Sequence, residues 1–434
     1  MNLSSNPVTA SERPSEGASV DEWLQWLEAI HPAEIDMGLD RVLVVLRRLF
    51  PKKPNARIIT IAGTNGKGST VATLERQLMA VGRTTGAYTS PHLQYYNERV
   101  RINGMNVSDS ALVSAFGKVE VARRNVSLTY FEFGTLAAFV ALEQAGVQDW
   151  ILEVGLGGRL DAVNVLDADF AIITAIDIDH IGFLGDNREV IGFEKAGILR
   201  RGIPAVCADP MPPTSVLQQA TAQKVDLRLS GRDYQLESRA DDSEIIDLVL
   251  AECRVALPAG PLPVGSVAAA TVMAMQLVPT ADLEVLSEAA HAVSLPGRFE
   301  QLNSEPLIIA DVGHNPHAAR WLASKLHELK QKNHGRIVAV YAALGDKDVE
   351  GVVSAMAPVV DHWCLAGLDV PRGLTVQQLE TRIGKISSSG SYVTIDEALS
   401  GAKDEAAAQG DCIVVFGSFF TVAKARALLL GDAP

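Results

Sequence analysis

The 434-residue sequence predicts an α/β protein of two domains. Residues 1–294 read as a parallel sheet with helices on both faces, and residues 295–434 as a smaller doubly wound, Rossmann-like domain. Three observations predict this. A chain of this length exceeds what one hydrophobic core ordinarily organises. Short β-branched apolar runs alternate with amphipathic segments of helical period, the pattern of parallel strands joined by crossover helices. A second strand–helix series starts near Leu295-Pro296-Gly297-Arg298, which sets the boundary near Ser294.

The elements follow in order. Residues 1–20 lack the basic region and apolar core of a leader or anchor and predict a mobile tail. Strands are expected at 57–62, 84–89, 150–154 and 171–175, and helices at 70–81, 108–123, 134–145 and 187–199. Residues 235–257 alternate in short runs and predict a small antiparallel addition. The Ala-rich stretch 264–278 is too short to span a bilayer and predicts a buried helix. The second series supplies strands at 307–311, 336–342, 362–366, 392–395 and 412–416, with a helix at 318–329.

Composition narrows the function classes. Hydrophobic residues make up 47% and charged residues 21%, a globular balance. A net charge of −14 disfavours a nonspecific nucleic-acid binder, which needs basic surface to displace counterions. It leaves room for anionic small substrates, since a local cluster of cations outweighs the global field at short range. Cys207, Cys253, Cys364 and Cys412 are far apart without ligand spacing, so they predict reduced thiols of a cytoplasmic protein.

The stretch Arg57 to Thr70, RIITIAGTNGKGST, reads as a phosphate cradle at the end of a buried strand. Gly63, Thr64, Asn65, Gly66, Lys67 and Gly68 let consecutive N–H groups converge at a helix N-terminus. Lys67 adds a full charge for a β/γ-phosphate, and the Ser69 or Thr70 hydroxyl suits a magnesium ion. Gly68 separates Lys67 from those hydroxyls, so the strict Walker pattern is not met. Other polar residues fall at strand ends, where open parallel sheets bind ligands. Ser90 closes the 84–89 strand, Glu153 ends a nearly all-apolar strand, Asp177, Asp179 and His180 follow the next, and Lys195 lies on the helix beyond. Glu, His and a hydroxyl beside a nucleotide suit a hard divalent cation. Taken singly, Glu153 equally fits a pair with Arg159, His180 a backbone contact and Lys195 a solvated helix lysine.

These motifs, in order, resemble the folylpolyglutamate synthase/dihydrofolate synthase family within the Mur ligase superfamily. GTNGKGST, TSPHL with NERVRING, LTYFEFGT, LEVGLGGRLDAVN, IDIDHIGFLG with FEKAGI, LPGRF, DVGHNPHA and VFGSF carry the resemblance. It runs from about residue 35 to the C-terminal helix, and TSPHL with LTYFEFGT looks most like the bacterial bifunctional type. The resemblance implies ATP-dependent ligation of L-glutamate to dihydropteroate and to the γ-carboxylate of reduced folates, through an acyl phosphate, by a cytoplasmic monomer. It implies that Gly63 to Thr70 hold the ATP phosphates, with Arg298, Asp311 and His314 from the second domain. Ser90 and Glu153 would serve one magnesium ion; Glu153, His180 and a carbamylated Lys195 would serve another. Phe131 and Asp161 would contact the pterin, although core packing and a turn equally suit them. Ser418 would lie near the glutamate, and Lys347 there or in a solvated loop. The asparagine usual near the adenine is replaced by Ser266 in PLPVGSVAAA. Another Mur-type amide ligase, or a nucleotide-gated pterin-binding protein, is the alternative.

Overall fold

The computed structural model describes residues 13–431 except 16, 32–35, 240–241, 385, 387–388, 407 and 409. The first sheet contains β1 (Arg57–Ala62), β2 (Thr85–Tyr88), β3 (Val100–Ile102), β4 (Met105–Asn106), β5 (Asp149–Glu153), β6 (Phe170–Ile173), β7 (Pro204–Cys207) and β8 (Asp226–Leu229). Their order is β4-β3-β2-β5-β1-β6-β7-β8. All pairings are parallel except those of β3 and β4, which form an antiparallel edge. β1 lies between β5 and β6, so its glycine loop opens into the crevice where the connections diverge to either side.

Both faces are covered. Helices Val20–Ala29, Asp40–Leu49, Asp109–Arg123 and Tyr130–Ala145 pack a core on one face that includes Trp23, Phe116, Phe133 and Trp150. Helices Lys67–Ala80, Val264–Leu277 and Leu283–His291 pack the other, where small alanines admit close helix approach. A three-stranded antiparallel sheet, β9 (Tyr234–Ser238), β10 (Ile245–Leu250) and β11 (Arg254–Pro258), matches the expected addition.

The third sheet has six strands: β12 (Glu300–Ser304), β13 (Leu307–Asp311), β14 (Ile337–Tyr341), β15 (His362–Ala366), β16 (Ser389–Tyr392) and β17 (Cys412–Phe416). Their order is β12-β13-β17-β14-β15-β16, with only β12 antiparallel. The chain leaves the first core after His291 and enters this sheet at Glu300.

Three expectations change. The expected tail lies mostly outside the described residues, but its end does not: Ser19 and Glu22 form a capping box that starts a helix at Val20. The helix expected from Gly134 starts at Tyr130, because Thr129 and Glu132 form the same reciprocal cap. The strand expected at 392–395 ends at Tyr392; Thr394 caps a helix that begins at Ile395. Several elements carried too weak a period to be expected, among them β7, β8 and helix Thr214–Ala222.

Candidate active site

The carboxyl ends of both parallel sheets face one another across a cavity of about 220 Å³. It is lined by Gly63 to Ser69, Ser90, Glu153, Asp179, His180, Lys195, Ser266, Arg298, Asp311 and His314, among others. The structure thus gathers expected residues separated by 250 positions into one space.

The glycine loop is built against its neighbours. Gly66 has φ +87°, and a Cβ there would meet Ser266 Oγ at 2.2 Å. A Cβ on Gly63 would fall 1.7 Å from Thr174 Oγ1, and that hydroxyl donates to Asn65 O at 2.7 Å. Any side chain at either position would displace the loop. Lys67 Nζ donates to Gly63 O and Thr64 O at 3.0 and 3.1 Å, holding the ammonium over the cradle. Ser69 lines the cavity. Thr70 does not: its hydroxyl donates to Gly66 O at 2.9 Å within the helix.

Glu153 ends β5 and is 5% exposed; it accepts the Ser90 N–H at 3.3 Å. Burial raises its pKa, opposed by the nearby charges of Lys67 and Arg298. Burial likewise lowers that of Lys67, opposed by Glu153. Arg159 pairs instead with Glu194 at 2.9 Å, so the Glu153–Arg159 alternative fails. Lys195 is no solvated helix lysine: it is 3% exposed, and burial, with the charge of Lys67, pushes its pKa down to about 7. A free amine is therefore accessible near neutrality, as carbamylation requires.

Among the described residues no three His, Cys, Asp or Glu side chains form a metal cage. What the cavity offers is one buried carboxylate with a single backbone hydrogen bond, a serine, a histidine and a buried lysine. That donor set fits magnesium, which takes one or two protein oxygens and completes its shell with phosphate and water.

From the second domain, Arg298 lies over the Phe419 ring, 5.1 Å from its centroid. Asp311 is buried and accepts Phe299 N–H and Gly313 N–H at 2.9 and 2.8 Å. His314 and Asn315 reach Asp179, which also accepts Lys347 Nζ at 2.8 Å. Burial would raise the Asp179 pKa, but the His314 hydrogen bond and the charges of His314 and Lys347 hold it well below the carboxylate range. Lys347 is thus not in a solvated loop; its side chain is 8% exposed and bridges the domains. Asn65 adds a second bridge, to Asn315 at 3.0 Å and His317 at 2.9 Å.

Like Thr70, three further expected contacts lie outside the cavity lining. Ser418 is 3% exposed and caps helix Phe419–Leu430 through Thr421 N–H at 3.0 Å. Phe131 packs on Gly155, where a Cβ would lie 2.5 Å from its ring, and faces Tyr88 at 6.3 Å. Asp161 accepts Leu156 N–H and Val163 N–H at 2.8 and 2.9 Å. Burial pushes its pKa up to about 6 despite those bonds. The folded state then binds this proton more tightly than the unfolded chain, so the contribution of Asp161 to stability should fall as pH rises from about 4 to 6, by at most about 3 kcal/mol, and level off above. Asp161→Asn should flatten that slope in thermal melts at pH 4.5 and 6.5; an unchanged slope would put the titration elsewhere.

Comparison with known proteins gives a consistent picture. The Mur ligase glutamate ligase domain matches residues 297–419. The dihydrofolate synthase/folylpolyglutamate synthase of Escherichia coli K12 is 41% identical over 411 residues, covering 94% of this chain and 95% of that protein. The structure of E. coli FolC in complex with DHPP and ADP superposes with a TM-score of 0.89 at 38% identity, covering 96% of this chain and 99% of the other. The bifunctional enzyme of Yersinia pestis, complexed with AMPPNP and Mn ion, gives 0.89 at 40% identity, covering 96% and 100%. With this identity across nearly its whole length, and with the glycine loop, Glu153 and the second-domain residues around one cavity, the chain belongs to the dihydrofolate synthase/folylpolyglutamate synthase family.

Proposed function

We propose that this chain uses ATP to join L-glutamate to dihydropteroate, giving dihydrofolate, and to the γ-carboxylate of reduced folates, giving folylpolyglutamates. The observation that carries this is the single cavity in which a phosphate loop, a buried carboxylate and a second-domain arginine converge.

The first step brings the substrate carboxylate onto the γ-phosphate, forming an acyl phosphate and releasing ADP. Two anions must approach, so charge neutralisation is the main barrier. Lys67 and the N–H groups of Gly63 to Ser69 meet the phosphates from one domain, and Arg298 meets them from the other. Ser90, Glu153, His180 and Lys195 would hold magnesium, which when bound supplies Lewis-acid neutralisation worth several kcal/mol. In the second step the glutamate amine attacks the acyl carbon and phosphate leaves. Acyl phosphates hydrolyse, and the Asp179 and Asn65 bridges close the cleft against water. Phe131 and Asp161 sit on the pterin side of this reading, and Ser418 positions the helix that carries Phe419 toward Arg298.

No helix among the described residues is long and apolar enough to cross a membrane. A cytoplasmic monomer acting on these small molecules, without nucleic acid, completes the proposal. The test offers dihydropteroate and tetrahydrofolate separately, with ATP, magnesium and glutamate. ADP release should depend on both the pterin and glutamate; release indifferent to either would defeat the ligase reading.

A further inference from the structure

The partly buried arginines near the first core meet carboxylates, whereas the one buried arginine among the described residues does not. Arg41 pairs with Glu132, Arg57 and Arg83 with Asp149, and Arg101 with Glu75. Arg99 is 8% exposed, and among the described residues no carboxylate lies within ion-pair distance of it. Its Nε donates to His92 Nδ1 at 2.9 Å. Its guanidinium lies over two rings, 5.0 Å from the Tyr96 centroid and 5.8 Å from that of Tyr130. The four N–H bonds of its two terminal nitrogens have no acceptor among the described residues. Neither terminal nitrogen is fully shut off from solvent, so an anion has access to them.

The backbone starts this residue close to the strand end that precedes Ser90. Thr89 N–H donates to Arg99 O at 2.8 Å, extending the antiparallel pairing of β2 with β3. Residues paired this way have Cα atoms about 5 Å apart, so Arg99 starts one residue from Ser90. Tyr130, on its other side, immediately precedes Phe131. The backbone of Arg99 thus lies next to the strand end that leads to Ser90, and its guanidinium lies against the helix end assigned to the pterin.

We infer that Arg99 selects between the two acceptor substrates by binding the α-carboxylate of the glutamyl residue already present on a folate. This rests on the ligase reading above and deepens it. Dihydropteroate has one carboxylate, the one that reacts. A folate reacts through its γ-carboxylate and carries the α-carboxylate a few bonds away, a second charge that the site must neutralise. A planar guanidinium whose terminal N–H edge is free matches it in a bidentate pair. Tyr96 and Tyr130 hold the guanidinium plane in place, which limits the ordering cost on binding.

The test compares kcat/KM for tetrahydrofolate and for dihydropteroate on the same preparation of wild type and Arg99→Gln. The ratio of the two should fall about 10- to 100-fold in the variant, through a higher KM for tetrahydrofolate. A second measurement needs no variant: a tetrahydrofolate with a primary amide in place of its α-carboxylate. The wild type should use it about 10- to 100-fold less well than the parent, and Arg99→Gln should not distinguish them. An equal loss on both acceptors, or a wild type indifferent to the amide, would overturn the inference while leaving the ligase activity intact. Absence of glutamate ligation in the wild type would instead remove the reading beneath it.

Discussion

Replacing Glu153 with glutamine is expected to lower glutamate-dependent phosphate release about a thousandfold while the protein still folds. Glutamine keeps the shape at the end of β5 and an oxygen to accept the Ser90 N–H. What it loses is the negative charge. Burial raises the Glu153 pKa, and Lys67 and Arg298 act against that in favour of the charge. A neutral amide is a poor ligand for a hard dication, so the site would bind nucleotide with its phosphate charge inadequately neutralised. Lys67→Ala removes neutralisation from the other side and should have an effect of similar size. Phosphate release measured beside thermal melts separates chemistry from folding. Turnover near the wild-type rate in Glu153→Gln would mean that the carboxylate has no part in the reaction.

The second large effect is expected for Asp179→Asn, which should lower kcat about a hundredfold by loosening the closed arrangement. One carboxylate oxygen accepts Lys347 Nζ and the His180 N–H, both at 2.8 Å. The other accepts Asn315 Nδ2 at 2.9 Å and faces His314 Nε2 at 3.5 Å. An asparagine has one acceptor oxygen and no charge, so it leaves Lys347 buried without a counter-ion. Breaking one side of such a pair typically costs about 3–5 kcal/mol. The partners lie on opposite domains, so the loss falls mainly on closure and less on either core. With nucleotide and substrate present, solution scattering should show a more extended particle in the variant. Unchanged scattering together with unchanged kcat would exclude a clasp.

Much of the site was legible because local chemistry specifies it. A strand, a glycine turn and a helix start in direct succession leave few readings for Gly63 to Ser69. A carboxylate at Glu153 inside an apolar strand calls for a cation. The capping boxes at Ser19 and Thr129 are the same kind of local signal, but the expected tail, which runs too long, and the helix expected from Gly134 leave them out. Residues whose role depends on a partner far along the chain were not legible. Lys347 in LGDKD has the composition of a surface loop, and only the approach of Asp179, 168 positions earlier, makes it a bridge. Thr70 looked available to a metal until the helix turned its hydroxyl onto Gly66 O.

By itself the sequence determined most of the elements, the two parallel sheets and the chemical types at their carboxyl ends, since period, caps and turn residues act over a few positions. The tertiary structure decided which of those groups meet: the alignment of two sheet edges, the clasp at Asp179 and the isolation of Arg99 from every carboxylate in the described chain. The physical reason is range. Backbone preferences are set within a turn or two, whereas burial, counter-ions and closure exist only after distant segments have packed.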